Sequence, residues 1–98
     1  MNCGSYEVFF RNFSNKTSFS IMLLLRSKPM SVTEIAEKLS EEQSKVSHSL
    51  AKLAKCHILN VERQGKSRIY SLNKDTVIPI MSLIQKHVEK HCTERCKE

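Results

Sequence analysis

The sequence predicts a mainly α-helical domain that carries one small β-hairpin. The chain has 98 residues but only two glycines and two prolines, so few positions interrupt helices. Apolar residues recur at intervals of three and four along most of the chain, which is typical of helices that bury one face. The stretch ILNVERQGKSRIYSL (58–72) instead groups β-branched and aromatic residues on both sides of a glycine turn. The length is that of a single domain, 1–98, with about five helices.

Two helices are predicted before residue 28. An aromatic stripe at i, i+3, i+4 and i+7 predicts the first helix over about 5–14. Its members are Tyr6, Phe9, Phe10 and Phe13. Asn15 or Thr17 is a suitable cap for a second helix through SFSIMLLLRS (18–27), whose nearly continuous apolar character predicts a central, buried position. Pro29 prevents its continuation.

Two short helices with a tight connection are predicted next. Ser31 and Glu34 form a capping box for the third helix, and Ser40 with Gln43 is a possible second box for the fourth. The fourth helix, in SEEQSKVSHSLAKLAK (40–55), has a narrow apolar stripe of Val46, Leu50, Leu53 and Ala54. Its outer face is small, polar and basic, and consists of Gln43, Ser44, Lys45, Ser47, His48 and Lys52.

A hairpin and a long last helix complete the chain. QGKS (64–67) predicts a tight turn with Gly65, within a hairpin over 58–73. Asp75 is a suitable N-cap for the last helix, whose apolar residues recur at intervals of three and four. These residues are Val77, Met81, Ile84, Val88 and Cys92. Such a narrow seam is typical of a helix that packs against another helix.

The positive charge of the chain is concentrated in its centre. Of the net +6, all lies between residues 43 and 74, where seven basic side chains oppose Glu62 alone. A local basic block indicates a polyanion partner, most simply nucleic acid, although a solvated basic face is the alternative. The longest apolar run, IMLLL (21–25), is far shorter than the ~20 residues of a membrane span. The N-terminus lacks the pattern of a secretory signal, so we expect a cytoplasmic protein with no membrane partner and with reduced cysteines.

This order of elements, two short helices and then a hairpin, predicts a winged helix-turn-helix. Residues 31–55 form the helix-turn-helix, whose second helix is polar and basic, and residues 58–73 form the wing. Short polar side chains allow the fourth helix to approach a major groove of double-stranded DNA, where they can donate to or accept from base edges. Basic residues beside it are placed to meet phosphates. The predicted DNA-binding residues are Gln43, Ser44, Lys45, Ser47, His48, Lys52, Arg63, Lys66 and Arg68.

The stretches VTEIAEKLSEEQSKVSHSLAKLAKCHIL and VERQGKSRIYSL resemble the ArsR-type winged-helix repressors. That family typically shows Q-S-x-V-S-H-x-L in the recognition helix, matched here by Gln43, Ser44, Val46, Ser47, His48 and Leu50. Its wing pattern, R-x-G-[RK]-x-x-x-Y-x-L, is matched by Arg63, Gly65, Lys66, Tyr70 and Leu72. The chain departs from the family at Ser18, at Glu41 and Glu42 in the turn, and at His57, where a glycine is common and left-handed backbone is therefore predicted.

The resemblance, over about 5–92, implies a homodimer that binds a pseudo-palindromic operator, usually as a repressor. The first and last helices (1–14 and 75–96) would form the interface. The predicted interface residues are Tyr6, Phe9, Phe13, Met81, Ile84, Val88 and Cys92. The alternative is a winged-helix protein-interaction module without specific DNA binding. An enzyme is not expected, because the chain has no glycine-rich phosphate loop, no acid pair on a shared face and no nucleophile with its base.

The tail HVEKHCTERC (87–96) is the remaining candidate for a sensor site. The family's thiol ligands correspond to Ser31 and Thr33, and its last-helix site would need ligands at Ile78 and Ile80, none of which is suitable. At ~100° per residue, the two tail cysteines lie on one flank of the helix seam and the two histidines on the other. We therefore predict no cofactor. If a metal ion binds, the candidate ligands are His87, His91, Cys92 and Cys96. Thiol redox sensing, and no sensing by this segment, remain the alternatives.

Overall fold

The computed structural model describes residues 5–92. Within this range the chain forms five helices and three short strands. In chain order these are α1 (Tyr6–Ser14), α2 (Lys16–Leu25), β1 (Met30–Ser31), α3 (Val32–Leu39), α4 (Gln43–Lys55), β2 (Leu59–Gln64), β3 (Ser67–Leu72) and α5 (Val77–His91). The predicted fold class, helices with a small hairpin, is confirmed.

Three of the helix starts follow directly from side-chain caps. The hydroxyl of Ser5 accepts from the backbone N–H of Val8 and begins α1. Asn15, rather than Thr17, caps α2 by accepting from the N–H of Ser18 at 3.0 Å. The predicted capping box of α3 is present, because Ser31 and Glu34 each accept from the other's backbone N–H. Each cap satisfies a donor that the first helical turn leaves unpaired.

Two other predicted caps are wrong. Ser40 does not begin α4 but ends α3 in the left-handed conformation, at φ 54°, and the N-cap of α4 is Glu42. Asp75 does not cap α5, which begins after Thr76. Instead, Asn73 Oδ1 accepts from the backbone N–H groups of Asp75 and Thr76. An asparagine can organise a turn in this way, so Asn73 shapes the approach to α5, while the helix itself has no side-chain cap.

The sheet has a third strand that the sequence did not predict. β1 has only two residues, and it pairs antiparallel with β3, so the strand order is β1-β3-β2. Two residues are too few to produce a recognisable alternation of apolar and polar side chains. The hairpin itself is as predicted, and Gly65 occupies its turn with a φ of 61°.

The core lies where α2, α3 and α4 meet the sheet and the start of α5. Its fully buried side chains include Ile21, Met22, Ile35, Val46, Leu50, Leu53 and Ile58. The predicted central position of α2 is therefore confirmed. By contrast, every residue of α5 from Leu83 to His91 is exposed, so most of that helix extends away from the core.

The end of α4 tests two further predictions, which concern the backbone of His57 and the oxidation state of Cys56. His57, which follows α4, has the predicted left-handed backbone, with a φ of 57°. Cys56, beside it, is half-buried against the core but disulfide-bonded, so the expectation of reduced cysteines is wrong at this position. None of the helices between residues 5 and 92 is long and apolar enough to cross a lipid bilayer.

Candidate nucleic-acid interface

The helix-turn-helix consists of α3, a three-residue connection and α4. The left-handed Ser40 reverses the chain, and the N–H of Glu41 returns to the carbonyl of Ala36 at 3.1 Å. Val46, Leu50 and Leu53 anchor α4 to the core, as the apolar stripe predicted, and Ser49 is buried with them. This burial fixes the rotation of α4. Its predicted outer residues, Gln43, Ser44, Lys45, Ser47, His48 and Lys52, are all exposed.

One contact ties the start of α4 to the start of α3. Nε2 of Gln43 donates to Oγ1 of Thr33 at 3.0 Å. This bond uses one of the two amide hydrogens of Gln43. The second hydrogen and Oε1 are the pair of groups that reads the major-groove edge of an adenine. The contact with Thr33 therefore holds the Gln43 side chain in place and leaves these two groups available. Sequence reasoning missed Thr33, because no local pattern reports a contact between two helices.

A second contact adjusts the charge at the same end of α4. Nζ of Lys45 lies 3.4 Å from Oε1 of Glu41, and both side chains are partly exposed. Exposed ion pairs of this kind are weak, so Lys45 can exchange this partner for a phosphate at little cost. The carboxylate of Glu41 still reduces the positive potential that Lys45 presents.

The wing and α4 share a groove. Ser47 and Ala51 of α4 form one wall, Lys66 and Arg68 of the wing form the other, and Thr33 of α3 also lines it. Arg63 belongs to the same surface, because it pairs directly with Arg68 across β2 and β3. Directly paired residues of antiparallel strands project from the same face of the sheet. The structure therefore brings Ser47 of α4 together with the predicted wing residues Arg63, Lys66 and Arg68 on one exposed, basic surface, whereas Lys52 does not line this groove.

The predicted interface residues divide into two groups. Tyr6, Ile84 and Val88 are exposed, by 88%, 40% and 45%. Phe9 and Phe13 are half-buried and pack on the core, and Met81 is a core residue that is only 4% exposed. Two of the four residues of the α1 stripe thus pack inside the protomer, where the ring centroid of Phe13 lies 6.3 Å from that of Phe19 of α2.

An apolar groove runs between α2 and α5. Leu23, Ile84 and Val88 line it, together with Phe19, and Met81 lies at its floor. Leu23 is 47% exposed although it lies in the most apolar run of the chain. Sequence reasoning assigned that whole run to the core and so missed Leu23, because a nearly continuous apolar stretch does not reveal which face stays open.

Of the four candidate ligands in the tail, the structure describes His87, His91 and Cys92. The rings of His87 and His91 lie side by side on α5, 4.9 Å apart, and both residues are exposed. Helix α5 ends at His91, so Cys92 follows the helix instead of lying on its seam. Cys96 lies outside the described residues. Between residues 5 and 92, no three histidine, cysteine, aspartate or glutamate residues are grouped to hold a metal ion.

Comparison with known proteins agrees with this geometry. Residues 15–61 match the family model described as "Bacterial regulatory protein, arsR family". The chain is 36% identical to the HTH-type transcriptional regulator NmtR of Mycobacterium tuberculosis over 69 residues. This alignment covers 70% of this chain and 58% of NmtR. This chain is a member of the ArsR family. The resemblance drawn from the recognition helix and the wing is therefore confirmed.

Two further proteins extend the comparison of this ArsR-family chain. It is 32% identical over 75 residues to the regulator KmtR of M. tuberculosis, covering 76% of this chain and 57% of KmtR. The chain therefore spans less than two thirds of the length of both curated relatives. The fold matches that of the homodimeric winged helix-turn-helix domain of Mb0332 from Mycobacterium bovis with a TM-score of 0.81 and 20% identity, covering 88% of this chain and 80% of that one.

Proposed function

We propose that this ArsR-family chain is a cytoplasmic, sequence-specific DNA-binding transcriptional regulator that acts as a homodimer, most simply as a repressor. It binds rather than catalyses. The observation that carries the proposal is the shared surface of α4 and the wing, where Ser47 lies across one groove from Lys66 and Arg68. Base-reading and phosphate-binding groups are needed together for specific DNA recognition.

In this mechanism the N-terminal part of α4 enters a major groove. Gln43, Ser47 and His48 meet base edges, because their side chains are exposed and short enough for close approach. Lys66 at the wing tip and the two paired arginines meet phosphates or the neighbouring minor groove. The remaining predicted residues, Ser44, Lys45 and Lys52, supply further contacts along the exposed face of α4.

The apolar groove between α2 and α5 supports a dimer. Leu23, Ile84 and Val88 line one groove with apolar side chains that a monomer would leave in water. Mb0332, whose fold this chain shares, is itself homodimeric. We place the centre of the interface on this groove, above the core residue Met81, with Tyr6 at its edge and with Phe9, Phe13 and Cys92 as supporting residues. A two-fold dimer presents two α4 helices to half-sites about one DNA turn, roughly 34 Å, apart.

The experiment that tests this function measures fluorescence anisotropy with a DNA fragment selected from genomic DNA and with a random fragment. We expect affinity to fall steeply with rising salt, and Lys45→Gln, Lys66→Gln and Arg68→Gln together to abolish tight binding. Ser47→Ala with His48→Ala should reduce discrimination between the two fragments by about tenfold, since a good base contact contributes about 1–3 kcal/mol. Equal loss on both fragments would contradict the base-reading role.

The second candidate, a protein-interaction module without specific DNA binding, is favoured by one observation. Glu41 places a carboxylate against Lys45 at the end of α4 that would approach DNA. The same anisotropy series separates the two. Failure to bind any DNA fragment at low salt, by a protein that is folded and dimeric, would replace the regulator with the interaction module.

A further inference from the structure

A cleft separates α1 from the C-terminal half of α4, at a distance from the wing. It has a volume of about 220 Å³. The side chains that line it include Val8, Arg11, Asn12, Asn15, Lys52 and Lys55. Three of these are cationic and two are amides, while Val8 supplies an apolar wall. The mechanism of DNA reading proposed above uses only Lys52 of this set.

Asn12 is the unusual member of the cleft. It is the only buried residue of α1, at 6% exposure, although its side chain is polar. Its amide nitrogen lies 3.4 Å from the carbonyl oxygens of both Val8 and Phe9, and 3.6 Å from Sγ of Cys56. These are long, weak hydrogen bonds, and a buried amide gains free energy from a better acceptor.

Arg11, like Asn12, has only a weak partner within the protein and can therefore bind a ligand. Its guanidinium lies 3.4 Å from Oε2 of Glu7, and both side chains are strongly exposed, by 61% and 82%. An exposed pair of this kind stabilises little, so a ligand anion can replace the carboxylate. Asn15 uses Oδ1 to cap α2, so the part of its amide that remains for a ligand is its NH2 group, a donor. Donors and cations thus predominate around a partly apolar cleft.

From this geometry we propose that the α1–α4 cleft binds a small organic anion, with a carboxylate or phosphate group on a compact apolar body. Arg11, Lys52 and Lys55 bind the anionic oxygens, the guanidinium in the bidentate manner that carboxylates and phosphates favour. Asn12 donates from below, and Val8 contacts the apolar body. The cleft is smaller than the roughly 300–1,000 Å³ pockets that hold drug-sized ligands, so the ligand is limited to about the size of a single ring.

Binding at this cleft has a consequence for regulation. Lys52 belongs both to the cleft and to the face of α4 that we assign to DNA. A bound anion neutralises Lys52 and adds negative charge beside the DNA backbone, so it lowers affinity for DNA. This consequence rests on the proposed function, whereas ligand binding itself does not.

The test titrates the full chain with phenyl phosphate and, separately, with inorganic phosphate, and follows backbone and side-chain amide resonances by NMR. We expect phenyl phosphate to shift the side-chain amide resonances of Asn12 and Asn15 and to bind more tightly than inorganic phosphate. Arg11→Gln should weaken phenyl phosphate binding by about tenfold, the effect of one charge-assisted hydrogen bond. Lys28→Gln, which removes one exposed positive charge elsewhere, should leave it unchanged.

A second measurement repeats the titration on the protein–DNA complex by anisotropy. Phenyl phosphate should release DNA from the unaltered chain at lower concentration than from Arg11→Gln, while Arg11→Gln alone binds DNA normally. Amide shifts spread over all surface lysines, or equal binding by the unaltered chain and Arg11→Gln, would refute the ligand site. A loss of DNA affinity in Arg11→Gln without specific amide shifts would instead assign the cleft to a DNA phosphate and overturn the small-anion proposal. If the chain fails to bind DNA yet shows the shifts, the site stands and the proposed function falls.

Discussion

Arg63 and Arg68 are direct cross-strand partners in the wing, one on β2 and the other on β3. Both are exposed, and paired residues of neighbouring strands project from the same face. Two like charges in this arrangement destabilise a hairpin by several tenths of a kcal/mol. The repulsion is relieved when an anion lies between or above them, as a DNA phosphate would. Under the proposed function, the pair lowers the stability of the free protein and raises its affinity for DNA.

The first prediction follows from this repulsion. Arg63→Thr should raise the free energy of unfolding by about 0.5 kcal/mol, since it removes the like-charge pair and introduces a good strand residue. The same change should lower DNA affinity and reduce the salt slope by about one. Urea denaturation and anisotropy at several salt concentrations measure the two effects. Gln64→Thr, on the same strand, is the control, and a fall in stability on Arg63→Thr would contradict the repulsion.

The contact between Thr33 and Gln43 carries the second prediction. Thr33→Val removes the acceptor of the 3.0 Å hydrogen bond while keeping the shape of the side chain. Gln43 is then free to rotate, so discrimination between operator and random DNA should fall by about fivefold, or roughly 1 kcal/mol, with little change in unfolding free energy. Thr33→Ser keeps the hydroxyl and should behave as the unaltered chain does. Identical discrimination by the Val and Ser variants would remove Thr33 from the recognition mechanism.

The third prediction concerns Glu41, whose carboxylate lies 3.4 Å from Nζ of Lys45. Glu41→Gln releases Lys45 for a phosphate, so affinity for random DNA should rise and the salt slope should become steeper by about one. Discrimination should fall, because the added contact is independent of sequence. Glu42→Gln removes the same charge from the same turn but leaves the Lys45–Glu41 contact intact. If both variants change the slope equally, general charge rather than this ion pair is responsible.

The helices and the hairpin were predictable because each has a period that the chain repeats several times. The helix caps were less predictable. Ser40 and Gln43 have the spacing of a capping box, but the reversal after α3 requires left-handed backbone at Ser40. β1 was missed because its pairing with β3 depends on residues about forty positions away.

For the candidate site, sequence reasoning identified which side chains of α4 face outward, since the buried stripe fixes the opposite face. It did not identify partners that arise only in three dimensions, such as Thr33 for Gln43 or Arg63 for Arg68. It also placed Met81 at a dimer surface, whereas that residue fills the core beneath Ile84 and Val88. One end of an apolar stripe on a helix can lie in the core while the other end is exposed, and the sequence pattern alone does not distinguish the two ends.

The fourth prediction tests the proposed dimer surface with a matched pair of valines. Val88 on α5 and Val61 on the wing are exposed to the same degree, 45% and 44%. Val88→Glu places a charge in the apolar groove between α2 and α5, where burying it against a second copy is costly, so the dimer should dissociate. Val61→Glu introduces the same charge without touching the groove and should leave the dimer intact. Native mass spectrometry over a range of protein concentrations distinguishes the two, and a dimer that survives Val88→Glu would place the interface elsewhere.

The fifth prediction concerns a buried hydroxyl in the core. Oγ of Ser18 is fully buried in α2, and between residues 5 and 92 it has no hydrogen-bond partner. A buried polar group without a partner costs about 1–3 kcal/mol, and alanine is also the better helix former. Ser18→Ala should therefore raise the free energy of unfolding by about 1 kcal/mol and the Tm by roughly 4–8 °C.

Ser20→Ala, in the same helix but only half-buried, separates the two contributions. It gains the helix propensity of alanine without removing a buried unpaired hydroxyl, so its stabilisation should be smaller than that of Ser18→Ala. Both variants are compared by urea denaturation at one fixed protein concentration, because the proposed dimer would make stability depend on that concentration. A loss of stability on Ser18→Ala would mean that the hydroxyl has a partner in solution, such as a buried water that bridges it to the backbone.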